Sequence, residues 1–222
     1  MDKQVLRWGG LSGIFAFIVW IIEMPVYGYV DPFIAGGLER FPTVKGVLVI
    51  STVLCMVTAL LSIAFIVVLS KVIRNTNPTL SLYGTILSII GLVGVALSDA
   101  STFYAFDPLS VLYHSATATA QTKETVVLLW ESTQGITYTY TFVGSLFLMI
   151  GFVALGLVMR KDSAIGSRLG WTTIVLGVAG GLGVVFSLIV FESIGFMFIA
   201  DLLFLLLNGR KLYQLSKQEP VA

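Results

Sequence analysis

Six apolar runs of about twenty residues, joined by short polar stretches, constrain this chain more than any other feature. They fall at roughly 8–29, 46–72, 80–104, 130–159, 169–189 and 194–212. At about 1.5 Å of rise per residue, a helix of that length crosses the ~30 Å hydrocarbon layer of a bilayer. In lipid the backbone must satisfy its own hydrogen bonds, so an isolated apolar run of this length folds as a helix. The expected fold is an all-α membrane protein, a single bundle of six transmembrane helices over residues 1–222. The first run follows Lys3 and Arg7 but continues for about twenty residues without a small-x-small cleavage site, so it is read as a retained span rather than a signal peptide.

The composition agrees. Of the 222 residues 57% are hydrophobic and only 11% charged, so the solvent is lipid. The net charge of +1 comes without any basic cluster on a soluble segment, which excludes nucleic acid as a partner. The basic residues have a different use. Lys3, Arg7, Lys71, Arg74, Arg160, Lys161, Arg168, Arg210, Lys211 and Lys217 fall on one side of the expected bundle, and only Arg40, Lys45 and Lys123 on the other. That asymmetry in short connections predicts both termini in the cytoplasm of a cell-membrane protein. Trp8 and Trp171 then belong to the inner interface and Trp130 to the outer one. The two longer connections, 30–45 and 105–123, lie on the outer side and read as loops resting on the membrane; the second begins with the turn signal Asp107-Pro108.

Small residues mark where helices can approach closely. Gly9 and Gly13 form one small-xxx-small pair and Gly177 and Gly181 another, while Gly84, Ser88, Gly91 and Ser98 share a side of the third run. Ser51, Cys55, Thr58 and Ser62 recur at helical spacing in the second, as a packing seam or a hydroxyl-lined path for water or an ion. Cys55 is the only cysteine, so an internal disulfide and a thiolate metal cluster are both excluded.

The opening RWGGLSGI, the basic turn RKDSAIGSRLGW before the fifth run and the six-span layout resemble the prokaryotic membrane family catalogued as domain of unknown function 4386. The shared elements are the Arg-x-x-Gly turn at Arg7 to Gly10 and the Leu-Gly turn at Leu169 and Gly170. The resemblance implies a six-helix membrane protein and assigns no functional residue.

Acidic residues within the apolar runs are the chemical anomaly. Glu23, Asp99, Glu131, Glu192 and Asp201 fall in or at the edges of these runs, whose only Lys, Arg or His are Lys71, Arg210 and Lys211 at the inner ends. Counted from the run ends, Asp201 lies near mid-membrane and Glu23 in the outer half, with Asp99, Glu131 and Glu192 near the outer boundary. An acid at the centre of a bilayer costs about 3 kcal/mol on insertion scales. Without an intramembrane base, Asp201 and Glu23 must be neutral and hydrogen-bonded, hold a cation, or face water. In the fourth run Glu131, Gln134, Tyr138, Thr141 and Ser145 recur at spacings of three and four, so a helix places them on one side. Asp201, Glu23, Glu131, Asp99, Gln134, Tyr138 and Thr141 are therefore the candidates for a polar interior or an ion or ligand site. His114, the sole histidine, reads as a solvated loop residue, with a metal-ligand role beside Glu131 or Asp99 as the alternative.

No phosphate-binding loop, dinucleotide fingerprint, HExxH or GxSxG occurs, and no cofactor is expected. From the residues alone a non-catalytic accessory or packing subunit is favoured. The alternatives are a cation, proton or small-ligand carrier or channel with an acidic interior, and a lipid-acting intramembrane enzyme using Glu131, Asp99 and His114. The expected partners are the lipid bilayer and a second copy or a larger membrane complex.

Overall fold

In a computed structural model the described residues are 2–30, 37–190 and 194–218, with backbone alone described at 29 and 30. They form six helices: α1 Lys3–Val30, α2 Gly37–Ile73, α3 Pro78–Tyr113, α4 Ala120–Met159, α5 Ser167–Phe186 and α6 Gly195–Lys217. Five of them, α1 to α5, are long and apolar enough to cross a membrane. α6 carries Asp201, Asn208, Arg210 and Lys211, which makes it the least apolar of the six.

Each helix packs on its neighbours in sequence, and α6 packs back on α1, so the bundle is a ring closed in chain order. Its ends are called here terminal, where α1 begins and α6 finishes, and distal. Lipid supplies no hydrophobic drive between helices, so close van der Waals approach must hold the ring together. Glycine provides it at the α1/α6 and α3/α4 seams. At the α1/α6 closure an added β-carbon on Gly10 would lie 2.5 Å from the Tyr213 backbone nitrogen, and one on Gly13 3.2 Å from the Gly209 Cα. Between α3 and α4, Gly91 meets the Leu148 backbone nitrogen at 2.5 Å and Gly94 the Gly144 Cα at 3.0 Å on the same measure. The α5 pair differs from expectation. Gly177 is tight against Val153, but Gly180, wedged between Met149 and Ala200, takes the place assigned to Gly181, which has only the Met149 Cβ at 3.6 Å.

At the terminal end, Asn77 caps α3 by accepting from the Leu80 amide at 3.0 Å, with Pro78 at the first helical position. Asp162 accepts from the amides of Ala164 and Ile165 and from the Thr76 hydroxyl at 2.7 Å, tying the α4–α5 turn to the α2–α3 turn.

The distal end departs most from the sequence reading. Residues 37–45, 105–113 and 120–123, expected in membrane-surface loops, are helical, and the described connection between α3 and α4 shrinks to 114–119. α2, α3 and α4 have 37, 36 and 40 residues. At about 1.5 Å per residue they extend for some 55–60 Å, far beyond a bilayer's hydrocarbon. The overhang has its own core of Leu38, Phe41, Val44, Leu48, Phe106, Val126 and Trp130. Trp130 is therefore no interface anchor: it is 4% exposed, stacked on Phe106 at 4.0 Å and edge-on to Phe41 at 5.6 Å. Pro42 and Pro108 fall on exposed faces of these helices, where a missing N–H does not interrupt packing. Lys45 and Asp107 pair at 2.6 Å across α2 and α3. Trp8 and Trp171, by contrast, are exposed as interfacial tryptophans would be.

Candidate functional site

In the distal half of the ring α1, α2, α3, α4 and α6 diverge around a cavity of about 280 Å³. Its walls are largely apolar, with Trp20, Met24, Leu92 and Phe198 among them, and Trp20 meets Phe198 edge-on at 5.9 Å. Gly28, exposed near the end of α1, marks the rim. Into this apolar space come two carboxyl groups, Glu23 from α1 and Asp99 from α3.

Glu23 is 7% exposed and accepts a hydrogen bond at 2.7 Å from the Ser51 hydroxyl of α2. Asp99 lies against Thr52 and Cys55 of the same helix, and the two acids are close enough to feel each other's charge. The Asp99 Oδ2 atom is buried with no hydrogen-bond partner among the described residues. Among the described residues, no Lys or Arg lines the cavity. The arrangement follows from local spacing: Cys55 and Thr58 follow the adjacent pair Ser51 and Thr52 at steps of three and four residues, so one stripe of α2 faces both acids. Pro25, on an exposed face of α1, leaves the Ile21 carbonyl without its helical donor one turn from Glu23.

On α4 the predicted polar stripe divides. Tyr138 and Thr141 line the cavity. Thr141 shares a 2.6 Å hydrogen bond with Ser98, and Tyr138 donates to the Ser187 hydroxyl at 2.7 Å, reaching the end of α5. Ser145, one turn further, is fully buried. Glu131 is exposed and Gln134 half-buried, and neither lines the cavity: they belong to the overhang, where α4 has already left the ring.

Asp99 is in the cavity wall beside Glu23, and α3 runs on to Tyr113 instead of ending near Tyr104. Asp201 lies outside the cavity lining, 1% exposed and facing the inside of the ring below the cavity floor. His114 caps α3, its Nδ1 2.9 Å from the Ser110 carbonyl oxygen. It is fifteen residues, about 22 Å of helix, from Asp99. No group of three His, Cys, Asp or Glu among the described residues is placed to hold a metal. Glu192 lies outside the described residues.

Cys55, Thr58, Trp20, Met24 and Phe198 were not among the predicted site residues. The periodic Ser51–Cys55–Thr58–Ser62 stripe was the signal for the α2 contribution. Nothing in the sequence distinguishes Trp20 or Phe198 from other apolar residues. Comparison of the chain with models of known protein families, with curated proteins and with solved structures returns no match to any of the three.

Proposed function

We propose that this chain crosses the cell membrane six times, with both termini in the cytoplasm, and binds a small lipophilic molecule bearing a cationic or hydrogen-bond-donating group. α6 is the sixth span in this reading: it completes the ring, and its face from Met197 to Leu212 is buried. The orientation rests on the ten Lys and Arg residues that the topology brings to the terminal end. The resemblance to domain of unknown function 4386 belongs to the same proposal and adds no residue to it.

One observation carries the ligand: an apolar cavity at the small end of the ligand-pocket range, into which Glu23 and Asp99 bring acceptor oxygens and no cation of the protein's own. Apolar walls select a lipophilic body. Two desolvated carboxyls favour a positive or donating group, since an unpaired buried acid is costly. The residues alone favour a packing subunit, but a cavity with converging acids moves the preference to ligand binding, either for storage or as one state of a carrier. A lipid-acting enzyme is the weakest reading, because Glu131, Asp99 and His114 are dispersed along the bundle.

The test is thermal unfolding of the purified protein in mild detergent with phenethylammonium and with its uncharged analogue 2-phenylethanol. The ammonium compound raises the melting temperature more than the alcohol, and the difference disappears in Glu23→Gln with Asp99→Asn. Equal responses to the two compounds, or a difference that survives the double substitution, would refute the reading.

A further inference from the structure

Many hydroxyls in these helices satisfy themselves in the way available to any membrane helix. Ser12, Thr85, Ser132, Thr133, Thr139 and Thr172 each donate to the carbonyl four residues earlier. A group at the centre of the ring does not. Among the described residues the hydroxyls of Thr58, Ser62, Ser88 and Ser145 are buried without a hydrogen-bond partner, as is the Asp201 Oδ2 atom. All five residues are more than nine-tenths buried.

Helix register arrays them along the ring's axis, over about 9 Å from first to last. α2, α4 and α6 run in the same direction, from distal to terminal end. Phe65, Phe152 and Phe204 fix one level across them, with Phe204 stacked on Phe152 at 3.7 Å and edge-on to Phe65 at 5.6 Å. Three residues earlier, one turn nearer the cavity, stand Ser62 on α2 and Asp201 on α6. Seven residues earlier stand Thr58 on α2 and Ser145 on α4. Ser88 of α3 lies against Gly151 of α4, beside the aromatic level. On α6, Ala200 faces α5 through Gly180, and Gly209 faces α1 on the opposite side. At 100° per residue Asp201 therefore projects between them, along the ring's axis.

We infer that Asp201, with the hydroxyl oxygens of Ser62 and Ser88, forms a site for a monovalent metal cation such as sodium, between the cavity floor and the aromatic layer of Phe65, Phe152 and Phe204, approached from the cavity past the hydroxyls of Thr58 and Ser145. The chemistry selects the charge: one carboxylate among neutral oxygens balances a single positive charge, and hard oxygen donors suit an alkali cation. A divalent ion would leave an uncompensated charge in a low-dielectric interior. Thr58, which also lines the cavity, connects the site to the compartment above. The inference stands on the buried polar atoms of the ring's axis and does not require the cavity ligand.

The experiment is thermal unfolding of the purified full chain in sodium, potassium and choline chloride at equal ionic strength. Saturating sodium raises the melting temperature by roughly 5–10 °C over choline, as expected for an ion in large excess over its Kd on a chain of this size. Asp201→Asn abolishes the sodium response. Ser62→Ala moves the half-maximal sodium concentration up by roughly tenfold, and this variant carries the test should Asp201→Asn fail to fold. Glu23→Gln keeps the response, which separates this site from the ligand cavity. Identical melting in sodium and choline, a sodium response surviving Asp201→Asn, an unchanged midpoint in Ser62→Ala, or loss of the response in Glu23→Gln would each overturn it.

Discussion

Replacing Gly10 with alanine tests whether the ring is held closed by backbone contact. The new methyl carbon would lie 2.5 Å from the Tyr213 nitrogen, 2.8 Å from the Gly209 oxygen and 2.9 Å from the Tyr213 Cα. Comfortable carbon contacts are about 3.5–4.0 Å, so α1 and α6 must separate by about 1 Å. Every obstructing atom belongs to the α6 backbone and cannot rotate away. Overpacking of this kind costs roughly 1–3 kcal/mol, and the parting seam loses further contact at Gly13 and Gly209. Against that, alanine in place of a helical glycine gains roughly 0.5–1 kcal/mol. The net expectation is a destabilisation of about 2 kcal/mol. Gly46→Ala is the control: nothing lies within 4 Å of its added carbon, so only the gain remains. The two variants should differ by about 3 kcal/mol, or roughly 6–12 °C in melting temperature for a chain of this length. Intrinsic tryptophan fluorescence during heating in detergent reads the difference. If Gly10→Ala melts at or above Gly46→Ala, the α1/α6 crossing is not tight, and closure of the ring through glycine contact is wrong.

The remaining predictions concern other parts of the molecule. Trp130→Ala removes a stacked aromatic from the overhang core and should cost roughly 3–5 kcal/mol locally; hydrogen exchange should show lost protection at the start of α4 with the lower ring still protected. Asp162→Ala loses two amide acceptances and the Thr76 contact between turns, a cost of about 1–2 kcal/mol measurable as a lowered melting temperature. Lys45→Ala breaks a pair whose side chains are 43% and 29% exposed, so the loss should stay within about 1 kcal/mol and shrink in high salt. In a Cys55→Ala background, a membrane-impermeant maleimide applied to intact cells should label Ser115→Cys and spare Ser163→Cys; the reverse pattern inverts the proposed orientation.

The helices were legible because hydrocarbon length is written directly into the sequence as apolar runs. Their distal ends were not. Asp107-Pro108 and the Ser/Thr/Ala-rich stretch after it carry the composition of a loop, and only tertiary packing of Phe41, Phe106 and Trp130 makes helix the better state. Glu23, Tyr138 and Thr141 were legible as cavity residues because polar groups in an apolar run must face inward. Glu131 and Gln134 obeyed the same periodicity without sharing the environment, since spacing gives a helix face but not where along the helix its neighbours stop.

Closure of the ring by α6 has a consequence for biogenesis. Spans emerge from the ribosome in chain order, so α1 through α5 can pair with their sequence neighbours while α1 still lacks one flank. Until the final helix arrives, Gly10 and Gly13 face lipid, the cavity has no Phe198, and Ser62 has no acid across from it. Both the chamber and the axial carboxylate thus come into being in a single late step, and a nascent protein stalled before that step would carry neither.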